Sequence, residues 1–172
     1  MRTPVALNHA YRLLNHGPAT LITSAALGRR NVMAAAWVVP LDGSVIGAVV
    51  GSGSLTRELI EKSGELAISI PPLSLLEATW KCGQSSGRDG DKFEALGLET
   101  STGSLVGAPL VEGCIGWLEC RLRDEPAVRE RYDLVVADVI AAWADEELFR
   151  DGRWCFDGQS DRRSFHHLAS GH

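Results

Sequence analysis

The sequence has 172 residues, and what it lacks excludes several classes of protein. It contains no run of about 18 apolar residues, the length a helix needs to cross a bilayer. Its 17 basic side chains are outnumbered by 22 acidic ones, so nucleic-acid binding, which needs clustered cations, is not expected. The N-terminal region lacks the basic stretch and apolar core of a secretory leader. We therefore expect a cytoplasmic protein without a membrane segment.

Cysteine and histidine are few, and neither shows the spacing of a metal site. No two cysteines are separated by the two residues typical of zinc fingers and redox dithiols. We expect small buried apolar side chains at all four cysteines, which are Cys82, Cys114, Cys120 and Cys155. A Ser-His-Asp order and paired carboxylates on one helix face are also lacking, so no hydrolytic machinery is evident.

The length and the ordinary globular composition predict one domain over residues 1–172. Six apolar runs are predicted to be strands, at 19–25, 32–39, 45–50, 66–70, 115–122 and 134–143. The first three follow one another with no room for crossover helices, so this part of the sheet should be antiparallel. The pattern predicts a mainly β fold with short helices, in the form of an antiparallel β-barrel.

Three short helices are predicted between these strands. An amphipathic segment over residues 7–16 ends at a Gly-Pro pair. A second helix over 57–62 has Thr56 as its cap, and a third begins at the capping-box pair Ser74 and Glu77. The polar residues 28–31, Asn31 among them, are predicted to form a turn between the first two strands.

Two glycines, Gly51 and Gly53, stand between a predicted strand and a helix, as in phosphate-binding turns. The third glycine of the dinucleotide fingerprint is replaced by Thr56, so a Rossmann unit is not predicted. Hydroxyls and a cation nevertheless surround the helix start and suit a phosphate; they belong to Ser52, Ser54, Thr56 and Arg57. By spacing alone, a plain glycine turn with a threonine cap is the favoured interpretation.

The segment from residue 84 to 91 is rich in glycine, serine and charge, which predicts an exposed loop. Its acidic residues do not follow the twelve-residue pattern of a calcium loop. Ser86, Arg88 and Lys92 again suit an anion. Trp37 follows three alanines in an apolar run and, taken alone, is predicted to be a core side chain.

Taken together, these segments resemble the flavin reductase-like family, which includes the flavoredoxins and has an FMN-binding split barrel. The resemblance runs from about Gly17 to His167. It rests on the order of several short pieces, which are residues 18–23, 31–37, 54–60, 63–66, 86–93, 97–98, 109–110, 118–120 and 167–168.

The resemblance implies a homodimer that binds FMN, or FAD, near the subunit interface. Its isoalloxazine would lie beside Asn31, Ala35, Ala36 and Trp37. Its phosphate would be held by Ser52, Ser54, Thr56 and Arg57, with Ser86, Asp91 and Lys92 closing over phosphate or ribityl. His167 would lie near the ring, as the candidate catalytic residue.

The function implied is hydride transfer from NADH or NADPH to flavin, with the reductase component of a two-component monooxygenase as one setting. The cofactor would then carry the chemistry, which agrees with the missing acid-base machinery. Two alternatives stay open. One is a flavoredoxin-like FMN electron carrier that has a protein partner and no nicotinamide site. The other is a split barrel that binds haem or another ligand, for which His167 or His16 would be the haem ligand.

Overall fold

A computed structural model describes residues 1–158 and 160–165 of the chain. Most of this part is antiparallel β-structure with short helices. The strands are β1 (Arg2–Pro4), β2 (Thr20–Ala26), β3 (Arg29–Ala35), β4 (Val38–Asp42), β5 (Val45–Val49), β6 (Glu65–Ile70), β7 (Thr100–Ser101), β8 (Leu110–Val111), β9 (Gly116–Leu122), β10 (Leu134–Asp145), β11 (Phe149–Arg150) and β12 (Arg153–Trp154). The α-helices are α1 (Leu55–Ser63), α2 (Leu76–Gln84), α3 (Lys92–Leu96) and α4 (Pro126–Tyr132), and 3-10 helices span Leu7–Leu13, Leu73–Leu75 and Ser160–Arg162.

The main sheet is curled because its two edge strands are joined by a very short link. Its strands follow the order β3-β2-β6-β9-β10-β5-β4, with β1 paired to β10. Laid flat, seven strands would separate β3 from β4 by roughly 30 Å. Only Ala36 and Trp37 connect these strands, and three Cα steps span at most about 11 Å. The sheet therefore closes into an antiparallel split barrel, as predicted.

The strands read as continuous apolar runs because both faces of the sheet are covered. Neighbouring residues along β2, β6 and β9 enter two different clusters of buried side chains. The barrel interior takes Ile22, Ile68 and Leu118, and an outer cluster shared with α2 and α3 takes Leu21, Ala67 and Trp117. The outer cluster fixes α2 and α3 against the barrel.

Five predicted strands are confirmed with small shifts of their ends, as β2, β5, β6, β9 and β10. The prediction of one strand over 32–39 is wrong, because the chain leaves the sheet at Ala36 and re-enters it at the opposite edge. Asn31 lies in β3 and not in a turn. The hairpin turn is instead made by Leu27 and Gly28, which both have positive φ, 52° and 72°.

The helix starts also differ from the predictions. The N-cap of α1 is Ser54, and Thr56 lies within the helix. The predicted capping box of Ser74 is wrong, because a 3-10 turn leads directly into α2 and no side chain caps it. The predicted N-terminal helix is a 3-10 helix. None of the helices in the described residues is both long and apolar enough to span a membrane.

A buried carboxylate anchors the segment that precedes β8. Glu119 on β9 is fully buried, and its oxygens accept hydrogen bonds from the amides of Ser104, Leu105 and Val106 at 2.7, 2.5 and 2.9 Å. Hydrogen bonds to a charged acceptor are stronger than neutral ones. The three amides thereby stabilise a carboxylate for which burial alone would be costly.

We predict that Glu119→Gln lowers the free energy of unfolding by about 2–3 kcal/mol. The NH2 group of glutamine would replace one acceptor oxygen and would face main-chain N–H groups that are themselves donors. Urea denaturation measures the change. Glu130→Gln on the exposed face of α4 is the matched control, with an expected change under about 0.5 kcal/mol. Equal effects of the two substitutions would contradict the anchoring role.

Candidate functional site

The turn that starts α1 presents hydroxyls and main-chain amides to solvent. Ser54 caps the helix, because its Oγ accepts from the Arg57 amide at 3.1 Å and donates to the Gly51 carbonyl at 2.8 Å. Ser52 and Gly53 are exposed. The Ser52 amide donates to Asp133 at 3.0 Å, which fixes the outer side of the turn. A helix N-terminus with exposed hydroxyls is suited to bind an anion.

A buried side-chain pair joins this helix start to β3. The Asn31 Nδ2 donates to Thr56 Oγ1 at 2.8 Å, and both residues are buried. Because Thr56 accepts this bond, its own hydroxyl proton stays available to another acceptor. The second polar atom of the amide, Asn31 Oδ1, has no hydrogen-bond partner among the described residues. Two predicted site residues are thus in direct contact.

The loop between α2 and α3 covers this pair. Gly87 lies directly on the Asn31 amide, where a Cβ would overlap Oδ1, so only glycine fits. The exposed Ser86 accepts from the Arg88 amide at 3.2 Å. The Arg88 guanidinium reaches back to α1, 3.1 Å from Glu58. The structure therefore brings Ser86 and Arg88, two residues whose side chains suit an anion, beside the α1 turn.

The buried Arg57 has a structural role instead of facing this site. Its guanidinium donates to the carbonyls of Val50 and Arg129, at 2.8 and 3.2 Å, and to Glu61 at 2.6 Å. These contacts join α1 to the end of β5 and to α4. The prediction of Arg57 as a phosphate ligand finds no support in this arrangement, because the side chain already has its partners.

Asp91 and Lys92 also hold the scaffold together. Asp91 caps α3 by accepting from the Phe93 amide at 2.8 Å, and it pairs with Arg30 at 2.8 Å. Burial raises the pKa of Asp91, but these hydrogen bonds outweigh that effect and hold it below its ordinary value. Lys92 is buried and donates to the Cys82 carbonyl at 2.8 Å, and burial lowers its pKa. Neither side chain is placed as a free ligand.

An apolar cleft of about 530 Å³ lies between β3 and α2. Three consecutive alanines form one wall, and α2 and the end of the described chain form the other. Its lining residues are Ala19, Ala34, Ala35, Ala36, Leu73, Leu76, Thr79, Trp80, Gly83, Gln84 and Phe165. Small side chains facing aromatic ones leave a space suited to a flat ring. The cleft and the anion-binding turn share β3 as a common support.

Trp37 is not the core side chain that its apolar neighbours predicted. It is 71% exposed in the link between the two edges of the sheet. The prediction failed because the link turns the side chain outward at the opening of the barrel. Ala35 and Ala36 line the cleft, and Trp37 is not among its lining residues.

The histidine predictions have separate outcomes. His167 lies outside the described residues. His16 Nε2 forms a hydrogen bond with Ser164 Oγ at 2.6 Å, and its ring packs against Trp154 and Phe156. This nitrogen is therefore engaged within the protein, so the structure gives no support to His16 as a haem ligand.

Cys82, Cys114 and Cys120 are buried, as predicted, whereas the same prediction is wrong for Cys155, which is only partly buried. Burial raises the pKa of the Cys82 thiol to about 11 and also raises the pKa of Cys114 and Cys120. These thiols are protonated near neutral pH, so they are not nucleophiles. No cluster that could hold a metal ion is found among the residues that the structure describes.

Sequence reasoning missed the wall of the cleft that faces the alanines. Trp80 and Leu76 are about half exposed at the cleft, and neither was among the predicted site residues. Phe165 had no local signal, because it reaches the cleft only through main-chain contacts with Ala19 and a bridge at Ser164. Contacts of this kind depend on residues far apart in the sequence.

The split barrel has an apolar cleft and an exposed helix start that both adjoin β3, an arrangement suited to a small ligand, and comparisons identify the family. The model of the flavin reductase like domain matches residues 12–160. The uncharacterized protein YddH of Escherichia coli is 44% identical over 98% of this chain and 91% of its own length. The chain therefore belongs to the flavin reductase-like family, as its resemblance implied.

Two solved structures share this fold. An FMN-binding domain of a flavin reductases-like enzyme from Shewanella baltica is 40% identical, with a TM-score of 0.95, and the match covers 100% of this chain and 92% of that one. The flavoredoxin of Desulfovibrio vulgaris is 25% identical, with a TM-score of 0.75 and coverage of 88% and 82%. Both structural matches therefore extend over most of this chain.

Proposed function

We propose that this protein binds FMN and transfers hydride from NADH or NADPH to the flavin. The observation that carries the proposal is the position of the apolar cleft beside the hydroxyl-lined start of α1, with β3 supporting both. A flavin nucleotide has the matching halves, a flat apolar ring and an anionic phosphate. The Shewanella baltica relative, described as FMN-binding, supports the same assignment.

The phosphate would bind where the exposed turn meets the covering loop. Ser52 and Ser86 offer hydroxyls there, whereas the Ser54 hydroxyl is already engaged in capping α1. The half-exposed Arg88, which keeps donors beyond its ion pair with Glu58, supplies the cation in place of Arg57. Thr56 contributes the proton that its contact with Asn31 leaves available. The dipole of α1 adds a favourable field for negative charge.

The ring would lie in the cleft against Ala35 and Ala36, with Trp80 and Phe165 excluding water from the opposite side. FAD would place the same ring and first phosphate in these positions. When bound, FMN supplies the hydride-accepting ring, and the protein has to bind and orient the reactants. No titratable side chain lines the cleft in the described part of the chain, so proton transfer is not assigned to the protein there.

The assay for this function mixes the purified protein with FMN and either NADH or NADPH and follows the nicotinamide absorbance. We expect flavin-dependent oxidation of at least one nicotinamide. Oxidation of neither would overturn the reductase proposal. FMN retained through gel filtration without such oxidation would favour a flavoredoxin-like carrier with a protein partner, the alternative that the Desulfovibrio relative supports.

We predict that Thr56→Val weakens FMN roughly tenfold more than riboflavin, because only FMN carries the phosphate that the hydroxyl would bind. Fluorescence titration with both ligands measures the difference. Thr56→Ser keeps the hydroxyl and should stay within about threefold of the wild type for FMN. Equal weakening of FMN and riboflavin by Thr56→Val would show that the phosphate lies elsewhere.

We also propose that the protein is a homodimer through the outer face of β4. Trp37, Val39 and Leu41 are 71, 48 and 51% exposed. Leu41 lies over Gly47, the residue of β5 that pairs with Val39, so Val39 and Leu41 share one face, and Trp37 directly precedes the strand. Strand β4 ends the sheet. An apolar stripe on an edge strand is an association surface. A second copy of the chain would cover this stripe. In each protomer Trp37 directly follows Ala36, which lines the cleft of the same protomer.

We expect Val39→Glu to weaken dimerisation roughly a hundredfold, because association would bury an unpaired carboxylate. Sedimentation velocity over a concentration series measures the dissociation constant. Leu27→Glu, at an exposed apolar residue of the β2–β3 turn, is the matched control and should leave the constant unchanged. A wild-type monomer at every concentration, or equal effects of both variants, would contradict this interface.

A further inference from the structure

Thr79 is a buried polar residue in the lining of an otherwise largely apolar cleft. The residue lies on α2 and lines the cleft, yet it is only 3% exposed. Thr79 and Cys82 are the buried residues of α2, and their spacing of three directs both toward β3. The residue is therefore almost entirely closed off from solvent.

The hydroxyl of Thr79 has no hydrogen-bond partner among the residues that the structure describes. A threonine within a helix commonly donates to the carbonyl four residues earlier, but this bond is not made here. Other buried threonines do have partners, since Thr20 donates to the Ala35 carbonyl at 3.0 Å and Thr23 to the Pro109 carbonyl at 2.5 Å. Leaving a buried hydroxyl unpaired costs free energy, so a missing partner calls for an explanation.

The composition of the cleft indicates what such a partner would be. Among the described residues that line it, only Thr79, Gln84 and the indole of Trp80 bring polar side-chain atoms, and none of these lining residues is charged. The cleft therefore favours a flat, uncharged ring with a polar edge. A hydroxyl can donate to or accept from such an edge.

We propose that Thr79 is a positioning residue for the bound ring, with its hydroxyl hydrogen-bonded to a heteroatom at the polar edge of the isoalloxazine. This inference rests on the proposed function, because it takes the flavin ring as the occupant of the cleft. Thr79 would then act on the ring, whereas Thr56 acts on the phosphate. Substitution of Thr56 should therefore weaken only the ligand that carries a phosphate, whereas substitution of Thr79 should weaken ligands with and without phosphate.

The test compares Thr79→Val and Thr79→Ser with the wild-type chain in fluorescence titrations with FMN and with riboflavin. We expect Thr79→Val to weaken both ligands by the same factor of about ten, because both contain the ring. Thr79→Ser keeps the hydroxyl and should bind both within about threefold of the wild type. Thr56→Val, which should weaken FMN selectively, is the matched control.

A second readout separates this role from a structural one. Urea unfolding of the flavin-free chain should show no loss of stability in Thr79→Val, because the substitution removes a hydroxyl that has no partner. A loss of stability without flavin, or unchanged affinity for both ligands, would overturn the inference while leaving the proposed function intact. Failure of the wild type to bind either flavin would overturn both.

Discussion

The two-residue link between β3 and β4 is the constraint on which the rest of the structure depends. These strands form the two edges of the sheet, and Ala36 and Trp37 alone connect them. A link this short forces the sheet to curl until its edges meet, which encloses one core and leaves a second for the helices. The same link lies at the opening of the barrel, where the last alanine lines the cleft and the tryptophan faces outward.

Around this opening, side chains that hold the scaffold are distinct from those available to a ligand. Arg57 and Lys92 donate to main-chain carbonyls of neighbouring elements, and Asp91 caps α3. At the α1 turn, Ser52 and Gly53 remain exposed, and the hydrogen bond from the Ser52 amide to Asp133 holds the turn in place. A turn that is already fixed in this way lowers the cost of ordering on binding.

Much of the barrel was predictable because strand ends are marked locally, as at Gly43, which follows the last residue of β4 in a tight turn to β5. The break within residues 32–39 was not, because an apolar run carries no sign that the chain passes from one edge of the sheet to the other. The hydroxyls at the start of α1 were identified by a local pattern. Whether a cation such as Arg57 is free depends instead on distant carbonyls, and no sequence pattern reveals that.

In the proposed function, a flavin phosphate is held at the start of α1 while the ring occupies the neighbouring cleft. The most direct measurement is a titration of FMN with the purified wild-type protein, followed through the fluorescence of the flavin. We expect a saturable change at micromolar protein, because the ring would pass from water into a cleft lined by Trp80 and Phe165. Fluorescence that stays constant throughout the titration would show that no flavin binds there.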